Sequence, residues 1–195
     1  MVLNLVLRGG FQIRVISGSV KGRRLKSPGN LKIRPTADRV KEALFNIIRD
    51  RVPGSIFLDL FAGTGNIGIE ALSRGASMVV FVEQHYKTIQ LIKENLGLTG
   101  FNDYATLLKG NIPSCFSSLG AMSYKYDLIF MDPPYLKDLI NCALSGIDEY
   151  DLLLPGGQAI VECSKLEDLP LEVNKLRLIR QEKYGDTILG FYMDI

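Results

Sequence analysis

The sequence predicts an α/β protein whose core is a mostly parallel β-sheet with helices on both faces. From residue 55 onward, short apolar runs alternate with stretches of helical spacing, the mark of successive strand–helix–strand units. The apolar runs are nearly continuous rather than alternating, as strands covered on both faces should be. A final pair of strand-like runs around a two-residue turn places one antiparallel strand near the C-terminus.

In chain order, residues 11–34 are rich in Gly, Lys and Arg (SGSVKGRRLKSPG) and predict a small hairpin or extended arm. Residues 36–51 predict a helix, with Thr36 as N-cap and Val40, Leu44, Ile47 and Ile48 on one apolar stripe. SIFLDLF (55–61), SMVVFVE (77–83), ATLLKGN (105–111), YDLIFMD (126–132) and QAIVECS (158–164) predict buried strands. Between them, 66–75 and 86–98 have helical spacing, with Gly75 and Gly97 placed to end those helices. Segment 135–154 predicts a further helix, closed by the turn Pro155–Gly156–Gly157. The runs 175–185 and 187–194 meet at Gly185–Asp186 as a hairpin, bringing the expected sheet to seven strands.

Bulk composition excludes several function classes. At 47% hydrophobic and 23% charged, the chain has enough apolar residues for a packed core and is not a disordered tail. Cys115, Cys142 and Cys163 lie far apart without CxxC spacing, and His85 is the one histidine, so reduced thiols and no zinc site are expected. No apolar run is long enough to span a bilayer. The start MVLNLVLRGG lacks a basic n-region and a small-residue cleavage site, so a cytoplasmic protein is expected. The net charge of +2 conceals an asymmetry. Residues 1–51 carry twelve Lys/Arg against three Asp/Glu, while the remainder carries eleven against eighteen. A basic arm on an acidic body suits a polyanionic partner, because phosphate neutralisation releases counterions. A solvated basic face serving solubility is the plainer alternative.

The first chemical motif is DLFAGTGNIG (59–68), in which Gly63, Gly65 and Gly68 form GxGxxG between a strand and a helix. Glycines allow close backbone approach to a ligand, and the helix N-terminus offers free N–H groups. Glu83, twenty residues past Gly63, ends the second strand, where an acid can accept both hydroxyl protons of a ribose. A nucleoside ligand follows. Asp59 narrows the choice, since a carboxylate facing the loop suits an ammonium group and repels a pyrophosphate. S-adenosylmethionine, with an ammonium, a sulfonium and a ribose, fits Asp59, Gly63, Gly65 and Glu83. Asn111, ending the third strand, can hydrogen-bond an adenine edge, though strand-end Asn also serves as a turn former.

The second motif, IFMDPPYLKD (129–138), stops a buried strand with an acid, two prolines and an aromatic ring. In an open α/β sheet ligands bind beyond the carboxyl ends of the strands, which is where Asp132 falls. Pro133 and Pro134 have fixed φ and no N–H donor, so the turn is stiff and its carbonyls can serve as acceptors. Tyr135 offers a flat face for a stacked base. The lone pair of an aromatic exocyclic amine is delocalised into its ring. Acceptors that hold its N–H groups orient the nitrogen toward an electrophilic methyl, and a carboxylate can take the surplus proton. A proline-terminated strand with an Asp cap is the purely structural alternative.

DPPY resembles the [D/N]PP[Y/F] motif of methyltransferases that act on amino groups of nucleic acids and of glutamine side chains. Together with RPTADRVKEALFNII (34–48) and LDLFAGTGNIGIEALSRGA (58–76), it makes the chain from about Ile13 onward resemble the RsmD family. The RPT-x-DRV-x-E-x-LFN segment is the most specific of these signals, while the glycine loop is shared much more widely. The resemblance implies a Rossmann-like class I S-adenosylmethionine-dependent methyltransferase fold. It also implies methylation of the exocyclic N2 of one guanine in bacterial 16S rRNA. Asp59, Phe61, Gly63, Gly65, Glu83 and Asn111 would then bind the methyl donor, and Asp132, Pro133, Pro134 and Tyr135 would hold the guanine. Arg14, Lys21, Arg23, Arg24, Lys26 and Lys32 would contact phosphates rather than read bases. Arg34, Thr36 and Arg39 would border the pocket where the arm meets the fold, although Arg39 reads equally well as a solvated helix charge. The expected division is a basic arm over 1–34, its first twelve residues outside the resemblance, and a methyltransferase domain over 35–195. The expected protein is a monomer acting on 16S rRNA, free or within a small subunit, without metal or membrane.

Three other readings compete. A DNA adenine- or cytosine-amino methyltransferase uses a similar motif, but no separate target-recognition domain is visible. An NAD-dependent oxidoreductase would share GxGxxG but leave Asp59 and DPPY without purpose. A catalytically silent RNA-binding module would use only the arm.

Overall fold

The computed structural model describes residues 13–27, 38–134 and 139–194. The arm forms a minimal antiparallel ladder, β1 (Ile13–Arg14) against β2 (Arg24–Leu25), with Ile13 and Leu25 buried beneath it. Helix α1 (Asp38–Ile47) buries Val40, Lys41, Leu44 and Phe45. It is shorter than the helix expected over 36–51. Residues 36 and 37 lie outside the described residues, and past Ile48 the chain tightens into one 3₁₀ turn (Arg49–Arg51). Pro53 lies just ahead, and no helix continues through a proline that has no N–H and crowds the preceding turn.

The strand–helix alternation then runs as expected: β3 (Ile56–Asp59), α2 (Asn66–Ser73), β4 (Met78–Glu83), α3 (Tyr86–Thr99) and β5 (Ala105–Lys109). After these come α4 (Phe116–Gly120), β6 (Tyr126–Met131), α5 (Leu139–Glu149) and β7 (Leu153–Ser164). The chain closes with β8 (Glu172–Val173), β9 (Leu176–Tyr184) and β10 (Thr187–Asp194). Gly75, at φ +97°, ends α2 with paired hydrogen bonds from its own N–H to Leu72 O and from Ala76 N–H to Ala71 O. Gly97 does not end α3. The helix passes through it, and Gly100, at φ +77°, takes the left-handed cap. Of the helix expected over 135–154, residues 135–138 lie outside the described residues, and α5 ends at Glu149 because β7 already begins at Leu153. Pro155–Gly156–Gly157 is a bulge within β7 rather than a turn before it, with Leu153 facing Tyr126 and Gln158 facing Leu128. Short α4 had no signal in a Ser-rich stretch of five residues.

The sheet order is β5-β4-β3-β6-β7-β10-β9-β8. The first five strands pair in parallel, and β10 inserts antiparallel between β7 and β9. Seven of these strands are the expected ones, and two-residue β8 adds an edge. Alternation along each strand separates two core layers. Phe57, Phe81, Phe130 and Ile160 pack with α1, α2, α3 and the arm. Leu58, Val80, Ile129 and Val161 pack with α4 and α5. The chain turns outward from β3 in one direction through β4 and β5, then crosses to β6 on the other side. The carboxyl ends of β3 and β6 are therefore the switch point where an open sheet leaves a crevice.

Candidate active site

Asp59, the last residue of β3, stands opposite Phe81 on β4 and Phe130 on β6. Two residues further along those neighbours are Glu83 and Asp132. The period of two puts Asp59 and Glu83 on the same face of the sheet, on strands spaced about 4.8 Å apart, and Asp132 follows directly on the end of β6. The glycine loop rises among them. Leu60 N–H donates to Phe130 O at 2.9 Å and Ala62 N–H to Val82 O at 3.0 Å, so the loop is held first to β6 and then to β4. Gly65 N–H closes the turn on Ala62 O at 2.7 Å.

The three glycines have different tasks. Gly65 sits at φ +76°, the left-handed entry to α2. At Gly68 a Cβ would lie 2.2 Å from the Phe81 ring, so this glycine sets the close approach of helix to strand. At Gly63, φ is +51°, and a Cβ added there would have Phe61 O as its nearest neighbour, at 3.9 Å. Among the described residues, packing leaves that side of Gly63 open, as a ligand resting on the backbone would need.

Glu83 is partly exposed, and its carboxylate is oriented from two sides: Oε2 accepts from Gly63 N–H at 3.1 Å and Oε1 from His85 N–H at 2.8 Å. A carboxylate has about four acceptor positions, so two remain for hydroxyl donors. Asp59 is 1% exposed, and its Oδ2 accepts from Gly68 N–H at 3.1 Å in the first turn of α2. Burial pushes its carboxyl up to about 7, the Gly68 hydrogen bond opposes that, and the charges of Asp132 and Glu83 add to it. Asp132 is also pushed up to about 7, by burial first and then by the charge of Glu167. This crowding of negative charge is what a cationic ligand would relieve.

Pro133 is buried and Pro134 exposed, while Tyr135 lies outside the described residues. Phe61 is half-buried against the core layer of Leu58 and Ile129. Asn111 is exposed two residues past β5, in a loop drawn to the end of β4 by Gly110 N–H donating to Glu83 O at 3.1 Å. Ser114 Oγ donates to both Asn111 O and Asn111 Oδ1. Asn111 is thus near the Glu83 end of the crevice and also serves as a turn former.

The basic residues occupy the arm. Lys21, Arg23 and Arg24 are exposed, and no acid among the described residues pairs with them. Arg14 meets Asp38 at 3.4 Å and Lys26 meets Glu94 at 2.9 Å, both exposed pairs of small energetic consequence. Arg39 is exposed near the start of α1; Lys32, Arg34 and Thr36 lie outside the described residues. What seats the arm is not evident from the sequence. Glu70, fully buried, accepts from Ile16 N–H at 2.7 Å, Ser17 N–H at 2.9 Å and Arg74 Nε at 2.8 Å. Fully buried Lys41 lies 3.5 Å from Glu70 and donates to Arg14 O and Asn66 Oδ1, each at 2.7 Å. Ser73 Oγ donates to Ser17 O at 2.6 Å and accepts from Val20 N–H at 3.2 Å. The available signal was an acid in the middle of the apolar helix NIGIEALS, and a lysine adjoining the stripe of Val40, Leu44, Ile47 and Ile48. Among the described residues no group of acids, histidines or cysteines is arranged to hold a metal ion, and no helix is long and apolar enough to cross a membrane.

Residues 13–193 match the family model described as "Conserved hypothetical protein 95". The Bacillus subtilis (strain 168) protein YlbH is 39% identical over 180 residues, covering 92% of this chain and 98% of that one. Ribosomal RNA small subunit methyltransferase D of Escherichia coli K12 is 31% identical over 188 residues, covering 94% and 91%. The solved structure of yhhF from Escherichia coli superimposes with a TM-score of 0.81 at 28% identity, covering 94% of this chain and 98% of that one.

Proposed function

The chain belongs to the conserved hypothetical protein 95 family, the RsmD-type methyltransferases, and from that premise we propose that it methylates the exocyclic N2 of a guanine in 16S rRNA, with S-adenosylmethionine as donor. The observation that carries this reading is the gathering of Asp59, Glu83 and Asp132 at the carboxyl ends of β3, β4 and β6 beside the glycine loop, at the switch point of the sheet.

The residues fit such a donor. Glu83, already oriented by two N–H groups, has acceptors left for a ribose. Asp59 and its acidic neighbours favour a ligand that carries positive charge. When bound, the donor supplies an electrophilic methyl group on a sulfonium. Asp132 and the carbonyls of the Pro133–Pro134 turn accept from the guanine amino group and fix its direction of attack. Their stiffness matters because the alignment is in place before reaction begins. Transfer of that methyl to the amino nitrogen, with the thioether as leaving group, would leave a surplus proton on the nitrogen, and the Asp132 carboxylate would accept it. Tyr135 supplies a stacking face for the base. A guanine in folded RNA must be turned out of its stack to reach this crevice. The arm of residues 1–34 holds the phosphates and the domain of residues 35–195 carries out the transfer.

The test is methylation of 16S rRNA, isolated small subunits and duplex DNA with a labelled donor, followed by nucleoside mass spectrometry. N2-methylguanosine from RNA is expected; label confined to DNA refutes the proposal. Asp132→Ala should lower turnover by about a hundredfold while binding of S-adenosylhomocysteine stays within about threefold of wild type. Undiminished turnover removes Asp132 from the mechanism.

A further inference from the structure

Asn95, fully buried on α3, joins two regions that look separate in the sequence. Its Oδ1 accepts from Lys26 N–H at 2.7 Å, and its Nδ2 donates to Lys26 O at 3.1 Å and to Thr64 O at 3.0 Å. Lys26 directly follows β2 in the basic arm, and Thr64 is the residue between Gly63 and Gly65. The two bonds to Lys26 reproduce the exchange that a facing strand would offer in an antiparallel ladder. The third bond leaves the same planar amide group. A rotation of that group that releases the arm therefore also releases Thr64, itself only 5% exposed.

A second link runs in parallel. Lys41 Nζ donates to Arg14 O in β1 of the arm and to Asn66 Oδ1 just after Gly65. The arm is thus tied to the residues on both sides of Gly65. Its seating on Glu70 and Ser73 lies further along α2, away from the loop.

We infer that Asn95 is a positioning residue coupling occupation of the basic arm by RNA phosphate to the seating of the glycine loop, so that RNA and methyl donor strengthen each other's binding. The inference rests on the function proposed above. Lys21, Arg23 and Arg24 project from the hairpin that Asn95 holds through Lys26. Phosphates held by these cations favour the seated hairpin, and the seated hairpin holds the Asn95 amide on Thr64. Linkage requires the two effects to be equal.

The experiment measures S-adenosylhomocysteine binding by calorimetry, with free protein and with protein saturated by a 16S rRNA transcript. Fluorescence anisotropy then gives transcript affinity with and without S-adenosylhomocysteine. The expected result is a strengthening of about fivefold in both directions, falling to none in Asn95→Ala. A purely structural Asn95 would lower melting temperature and weaken binding but leave the ratio unchanged, and that outcome overturns the inference. If Asn95→Ala does not fold, Asn95→Asp answers the same question, because it keeps an acceptor for Lys26 N–H and loses both donors. A wild-type ratio of one with normal binding of both ligands also overturns the inference, leaving the proposed function intact. Failure of wild type to bind S-adenosylhomocysteine refutes the function itself, and the inference with it.

Discussion

Asp59→Asn should make the free protein more stable, and the gain should grow with pH. Asp59 holds its proton up to about pH 7 in the fold, whereas an unfolded aspartate releases it near 3.8. Between those values the folded state binds a proton that the unfolded state has lost, so the wild-type side chain lowers stability progressively as pH rises through this window. The cost is largest above both values. At about 1.4 kcal/mol per pH unit, moving from pH 5 to pH 8 adds roughly 2 to 3 kcal/mol. Asn has nearly the same shape, does not ionise, and can still accept from Gly68 N–H through its Oδ1. Urea unfolding of both proteins at pH 5 and pH 8 measures the effect as a shift of midpoint at constant slope. The variant should gain about 2 to 3 kcal/mol more at pH 8 than at pH 5, while binding S-adenosylhomocysteine at least about tenfold more weakly because the carboxylate that meets the ammonium is gone. A stability difference that does not change with pH would refute the argument that burial and the neighbouring acids hold Asp59 protonated. Such a residue would show instability retained for binding, a known trade in active sites.

Gly68→Ala places a methyl 2.2 Å from the Phe81 ring, and overpacking of this kind costs about 1–3 kcal/mol. Calorimetry should show a lower melting temperature, by about 2–4 °C per kcal/mol for a chain of this size; an unchanged transition would mean that helix and strand separate freely. Arg24→Ala should weaken RNA binding similarly across sequences and reduce the slope of log affinity against log salt by about one. An unchanged slope would remove Arg24 from the phosphate-binding set.

Much of this arrangement is legible along the chain because its causes are local. Continuous apolarity in 77–83 and 126–132 marks strands buried on both faces, and β4 and β6 lie within those bounds. Gly75 ends α2 because only a glycine takes the left-handed position cheaply there. Gly97 misled because a glycine three residues early carries the same local signal, and packing of α3 through Ile92 and Leu96 carries the helix on to Gly100. The bulge at Pro155–Gly156–Gly157 likewise reads locally as a turn, and only pairing with β6 on one side draws it into a strand.

The site divides in the same way. Gly63, Glu83 and Asp132 can be found by spacing, since each follows from where a strand ends, and the chemistry expected of a strand-end acid needs no partner to be known. Asp59 was found for its charge, but its bond to Gly68 N–H and its protonation depend on burial and on two acids brought beside it from other strands. Lys41, Glu70, Ser73 and Asn95 were invisible as a group, because apart from Arg74 beside Glu70 their partners lie 25 to 69 residues away and a polar side chain shows its purpose only once it is desolvated. Periodicity and strand-end chemistry are properties of neighbours along the chain, so they survive in the linear order of residues. Which acids repel one another, and which buried amide bridges an arm to a loop, are properties of distance in space, and those came into being only when the sheet was assembled in its order.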